Sequence, residues 1–337
     1  MRAFVQTAIG RYEERDLDRP EPAPGEVVLR MRAALTCGTD LKLLARGHAR
    51  IALPVTMGHE VCGEVAAAGP GVEGWEGGER VVPGISGPCG RCADCAGGRP
   101  NLCANGFADR TWGAFAEYVR VPAGVVAANL HRVPATLEDE AAAFMDPLAS
   151  VLHGWDRLGQ TGGTLLVYGA GALGLLWAAV ASRRGLDVVV AGRRPERAAL
   201  AERFGARFVD ASDGAGGLRG RDGAPPDAAV DGTGDPGVWT LLPSLVRPGG
   251  TVLLFGGCAP GATVSFDAAR LHYAEISLVG SFHYGPAEAQ EALGLLASGA
   301  IDPRPLLAER GTLSDVPRFL EAQGRGEGVR YAIRSAA

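Results

Sequence analysis

Over roughly the first 150 residues the apolar positions come in short β-type runs, near 27–31, 61–67, 80–82 and 116–121. Gly- and Pro-bearing turns such as 22–25 and 69–74 separate them. Runs of that length between turn residues predict strands, and several in succession predict a compact β-rich domain. From about residue 160 the rhythm changes. Apolar strands at 164–168, 187–190, 228–230, 251–255 and 277–279 alternate with helical stretches at 173–184, 195–204 and 239–246. That alternation predicts βαβ units around a parallel sheet. The tail adds helical pieces at 286–298 and 318–323 and a β-like run at 331–334.

Length and composition fit this picture. The 337 residues suffice for two domains, each with its own core. Fifty Gly and 22 Pro are spread between apolar runs, which excludes a collagen-like or disordered chain. A formal charge of −5 argues against a nucleic-acid partner. Gly clusters break the apolar runs, and Arg2, Arg11, Glu13, Glu14 and Arg15 interrupt the N-terminal stretch. Neither a membrane span nor a secretory leader is expected, so the expected location is the cytoplasm.

Seven cysteines occur, and four crowd into one segment: Cys89, Cys92, Cys95 and Cys103. In a reducing setting such crowding favours metal thiolates over disulfides. Four sulfurs around Zn²⁺ leave no open position, so this site is expected to be structural. A second group is more open. Cys37, in Thr-Cys-Gly-Thr-Asp, and His59, in Gly-His-Glu, supply one thiolate and one imidazole. A catalytic zinc needs a third protein ligand and keeps a fourth position free. Asp146 is a carboxylate within an apolar stretch, where an unpaired charge is costly, so it should meet a cation.

The segment Gly169-Ala-Gly171-Ala172-Leu173-Gly174 directly follows an expected strand and opens an expected helix. That placement makes G-x-G-x-x-G a dinucleotide loop, with the pyrophosphate at the helix N-terminus. Where an NAD site would carry Asp or Glu after the second strand, this chain has Gly192 followed by Arg193 and Arg194, with Arg197 beyond. Guanidinium groups suit a 2′-phosphate, which points to NADP over NAD.

Taken together, these residues resemble the zinc-dependent medium-chain dehydrogenase/reductase family over nearly the whole chain. Further matching stretches are Gly113-Ala-Phe-Ala-Glu-Tyr118, Asp231-Gly-Thr-Gly234, 249–256 and Gly280-Ser-Phe-His-Tyr284. Asp146-Pro-Leu stands where the polyol (sorbitol-like) branch has Glu-Pro. The resemblance implies an α/β architecture: a GroES-like β-barrel catalytic domain, residues 1–149 with a return at 286–337, and a Rossmann doubly wound sheet, residues 150–285. It also implies a homodimer or homotetramer with two zinc ions per subunit, the catalytic one in the interdomain cleft. Cys37, His59 and Asp146 would hold that zinc, with Glu60 ligating or alternating with water. Thr39 would take the proton of an alcohol substrate and pass it toward solvent through the nicotinamide ribose, while hydride moves to NADP⁺. Phe255, Gly256, Ser281 and Phe282 would join the glycine loop in binding the cofactor. Asp146, His283 and Tyr284 would face the substrate.

Three departures from the family pattern stand out. Asp146 is one methylene shorter than Glu, so a water bridge could replace direct ligation. Lys42, the only lysine, replaces a His that often ends the proton relay, and is either a relay or a surface charge. His283 replaces an Arg that binds substrate hydroxyls in polyol dehydrogenases. The expected pocket walls at 43–51, 112–115 and 283–284 bear no charge clamp beyond Arg46 and Arg50. The alternatives are a reductase-type member of the superfamily or a descendant that binds zinc and nucleotide without catalysis.

Overall fold

A computed structural model describes residues 1–48, 51–160, 162–213 and 215–335. The chain divides into two compact units: Met1–Ala149 with Tyr284–Ala337, and Ser150–His283. No helix among the described residues is long and apolar enough to cross a membrane.

The first unit is built on β-structure. Strand Arg2–Ala8 lies between Arg11–Asp16 and Val55–Thr56 in a small antiparallel sheet. A larger sheet runs Leu307–Gly311, Arg330–Arg334, Val27–Leu35, Glu60–Ala68, Arg80–Pro83, Leu130–Arg132, and Tyr118–Val121 also pairs with Val27–Leu35. Met31, Met57, Val61, Phe115, Phe319 and Ile333 fill one shared core, so the tail residues are packed among those of the N-terminal half.

Register in this sheet fixes the chemistry. Leu35 stands opposite Glu60, which brings Cys37 and His59, just past and just before these residues, to the same end. On the other flank Ala332 stands opposite Leu35. Continued two residues further, the antiparallel pairing sets Arg330 beside Cys37.

The second unit is a six-stranded parallel sheet ordered Arg207–Asp210, Asp187–Gly192, Thr164–Tyr168, Ala228–Asp231, Thr251–Leu254, Ser277–Gly280. The order reverses at Thr164–Tyr168, the switch point at which doubly wound sheets bind ligands. Leu165, Leu166, Val167, Val188, Val189 and Val190 are almost wholly buried, as expected of strands covered on both faces. The helix expected over 195–204 is instead a short 3₁₀ turn, Pro195–Arg197, followed by helix Ala198–Arg203. Strand Arg207–Asp210 had no counterpart in the sequence reading.

Candidate active site and dinucleotide loop

Cys37 caps the helix Gly38–Arg46. Its sulfur accepts from the Thr39 N–H at 3.4 Å, and Asp40 accepts from the Cys37 N–H at 2.8 Å. The other oxygen of Asp40 lies 3.2 Å from His59 Nδ1, so a metal would be taken at Nε2. Trp112 stacks on the His59 ring at 4.8 Å. One donor atom each from Cys37, His59 and Glu60 lie within 4.8 Å of one another, and all three side chains are buried. Burial pushes the Cys37 thiol up, but the Arg330 and His59 charges outweigh it and hold the thiol well below its usual range. Burial alone would lower His59, yet Asp40 and Cys37 raise it well above normal. Glu60 is raised, mainly by burial.

Sulfur, imidazole and carboxylate in one buried group form the donor set of an open zinc site. Glu60 Oε1 takes a hydrogen bond from Arg330 at 2.9 Å, while Oε2 is buried and unpartnered. A cation near that oxygen would remove a costly desolvated acceptor, so the residues fit the metal.

Asp146 stands outside the 4.8 Å group. It lies in the first turn of helix Met145–Leu158, and its Oδ1 accepts from the Tyr284 hydroxyl at 2.5 Å. Tyr284, expected at the substrate, is fully buried with its hydroxyl engaged by Asp146. His283 ends the second unit with φ +58. Thr39 is exposed, and Lys42 is exposed one turn further along the same helix. Arg46 is exposed at that helix's end, and Arg50 lies outside the described residues.

The other cysteine cluster is tighter. Cys103 Sγ lies 3.6 Å from Cys89 Sγ and 3.8 Å from Cys92 Sγ. A tetrahedron with Zn–S bonds of about 2.3 Å has edges of about 3.8 Å, so the spacing fits a closed zinc site. Backbone N–H groups of Arg91 and Cys92 pull the Cys89 thiol down to about 6. None of the seven cysteines is in a disulfide.

In the second unit the candidate cofactor residues gather at the carboxyl ends of the parallel strands. Gly169 follows Tyr168 with φ +117, a conformation glycine adopts readily. A Cβ on Gly174 would sit 1.8 Å from the Gly169 carbonyl oxygen, so only glycine lets the helix Ala172–Arg183 pack this closely. A Cβ on Gly171 would meet nothing, leaving open backbone for a pyrophosphate. Leu173 is half-buried in the first turn of that helix. Arg193, Arg194 and Arg197 line the same cavity as Gly169 and Gly171. Phe255 and Gly256 follow strand Thr251–Leu254, and Ser281 and Phe282 follow Ser277–Gly280. Asp231, fully buried, accepts from Thr233 N and Oγ1, Gly234 N and Trp239 Nε1, and so shapes the turn that forms the cavity's far wall.

Asp40 and Arg330 were not anticipated beside this group, and Trp112 was expected only as a pocket wall, not as the ring stacked on His59. The acid at Asp40, three residues after a helix-capping Cys37, was a readable signal; the other two depend on tertiary pairing.

A dinucleotide loop in one unit and two metal-fitting donor groups in the other equip the chain as a metal-assisted, nucleotide-linked oxidoreductase. Comparison with known proteins agrees. Residues 23–134 match the alcohol dehydrogenase GroES-like domain and residues 172–298 the zinc-binding dehydrogenase domain. The chain is 30% identical to sorbitol dehydrogenase of Halalkalibacterium halodurans, covering 99% of both chains. It is 33% identical to D-altritol 5-dehydrogenase of Agrobacterium fabrum, over 95% of each. A Sinorhizobium meliloti 1021 structure described as a zinc-binding dehydrogenase bound to NADP superposes with a TM-score of 0.88, at 31% identity over 99% of this chain and 98% of that one. The chain belongs to the zinc-dependent medium-chain dehydrogenase/reductase family. It is an enzyme of the dehydrogenase class, acting on CH–OH groups with a nicotinamide nucleotide.

Proposed function

We propose that the chain is an NADP-preferring dehydrogenase of polyols or related secondary alcohols, holding one catalytic and one structural zinc per subunit. The observation that carries this reading is the buried Cys37–His59–Glu60 group delivered by sheet register. Zinc held there supplies Lewis acidity to an alcohol hydroxyl, and the bound nicotinamide supplies the hydride acceptor. The chain's own residues do the rest. Asp40 fixes the His59 ring, Arg330 fixes Glu60, and the helix N-terminus at Cys37 steadies its thiolate. Asp146 serves as a carboxylate facing the site, and the exposed Thr39 Oγ1 takes up the substrate proton. Cys89, Cys92, Cys95 and Cys103 hold the structural ion.

NADP preference is supported by space as well as charge. A Cβ on Gly192 would lie 2.8 Å from Ala170 Cβ and 3.0 Å from the Phe208 ring, so the acid of an NAD site has no room there. A substrate of the polyol class is supported by the sorbitol and altritol dehydrogenase relatives. Association into a homodimer or homotetramer is supported by the outer strand Ser277–Gly280, paired on one side only among the described residues. Seven cysteines with no disulfide among them support a reducing, cytoplasmic setting.

The test is an alcohol and carbonyl panel with NAD and NADP in parallel, together with metal analysis. We expect two zinc ions per chain and NADP favoured in kcat/KM by about tenfold or more, the value of one charge-assisted bond. Thr39→Ala should cut turnover strongly at unchanged zinc content. Equal use of both cofactors, or retained turnover in Thr39→Ala, removes the corresponding part of the reading.

A further inference from the structure

Tyr284 and Gly285 lie where the two limbs of the four-cysteine lobe converge. The Tyr284 hydroxyl, donating to Asp146 at 2.5 Å, also receives a hydrogen bond from the Ile85 backbone. Ile85 opens the limb that runs into Cys89. That limb is tied down on several sides: the Ile85 carbonyl accepts from the Thr111 N–H, the Ser86 carbonyl from Asn129 Nδ2, and the Gly87 N–H donates to Gly106. The second limb is the turn Pro100–Leu102, which leads into Cys103 and is closed by the Cys103 N–H on the Pro100 carbonyl. A Cβ on Gly285 would come within 2.7 Å of Pro100 Cγ, so this turn rests directly on Gly285. One limb therefore grips the phenol and the other presses on the next residue's backbone.

We propose that Tyr284 is a positioning residue that couples the four-cysteine lobe to Asp146, so that the shape of the lobe sets where the carboxylate sits. The hydrogen bond fixes Oδ1, and with it the orientation of the whole carboxylate. Both side chains are buried, Tyr284 fully. This rests on the reading that Asp146 serves the reacting centre.

The experiment uses the full chain with Co²⁺ in the catalytic site, whose visible spectrum reports coordination geometry without turnover. Tyr284→Phe removes the hydroxyl alone. Gly285→Ala leaves the hydroxyl and displaces Pro100. Both variants should keep the metal content and NADPH affinity of the parent, shift the cobalt bands, and lower kcat, by about 10- to 100-fold for Tyr284→Phe and by less for Gly285→Ala. A Tyr284→Phe variant with parental bands and kcat overturns the proposal. If Tyr284→Phe changes both readouts and Gly285→Ala neither, the coupling to the lobe is overturned. An Asp146→Asn variant separates the two ideas: if its turnover is parental, the reading of Asp146 fails, while the cobalt bands of the other two variants still test the coupling.

Discussion

Arg330 shows how a single side chain governs this centre. It is 2% exposed, donates to Glu60 at 2.9 Å and to the Thr36 carbonyl, and lowers the Cys37 thiol across the sheet. Its positive charge offsets the mutual repulsion between the buried Cys37 thiolate and Glu60 carboxylate. Removing one partner of a buried pair leaves an uncompensated group at roughly 3–5 kcal/mol. Arg330→Met should therefore lower thermal stability, measured by calorimetry, and weaken zinc retention against a chelator. Unchanged zinc affinity would remove Arg330 from the metal-holding machinery. Nothing local marks Arg330 as special in a chain where arginine supplies nearly all the basic residues. Cys37 and His59, by contrast, announced themselves by residue type and local motif. Tyr284 was legible as a residue of interest, but its bond to Asp146 was not, because it depends on packing between segments distant in sequence.

Among elements, periodicity located five of the six parallel strands, since strands buried on both faces are continuous apolar runs, and missed the outer, half-buried Arg207–Asp210. It failed where an element is held by tertiary contacts. Helix Gly38–Arg46 begins at a cysteine cap and buries only Asp40 and Leu43, too little to give an apolar stripe. Strand Arg11–Asp16 is polar and largely exposed, so its composition says loop while its pairing to Arg2–Ala8 makes it a strand. Strand Leu130–Arg132 and helix Pro286–Ala297 are joined by His131, whose Nε2 meets Asn129 Oδ1 at 2.8 Å and whose Nδ1 lies 3.3 Å from Gln290. Burial lowers the His131 pKa, with Gln290 opposing. A base depressed in the folded state binds protons more readily when unfolded. Its contribution is therefore complete above the ordinary histidine value of about 6.5 and declines as pH falls toward the lowered folded value. Chemical denaturation of the parent should show stability dropping on acidification through that window. His131→Gln should flatten the drop; an identical pH profile would exclude His131 as its source.

At the level of the whole molecule, every donor of both metal-fitting groups belongs to the unit Met1–Ala149 with Tyr284–Ala337, and the glycine loop belongs to Ser150–His283. Ligand binding should stabilise each unit separately. Hydrogen exchange followed by mass spectrometry should show chelation raising exchange in segments 27–46, 57–68 and 85–106, with 164–192 little changed. NADP should protect 164–192 and 228–256. Chelation that loosened both units equally would contradict this partition.

The sheet carrying the catalytic group is completed only by Arg330–Arg334, inserted between Leu307–Gly311 and Val27–Leu35. The nucleotide-binding unit, by contrast, is one uninterrupted stretch of chain. During synthesis, then, the Rossmann sheet has everything it needs to close while Cys37 and Glu60 still wait for their arginine. Chain order thus supplies every strand of the nucleotide-binding sheet before the last strand of the sheet that carries Cys37 and Glu60.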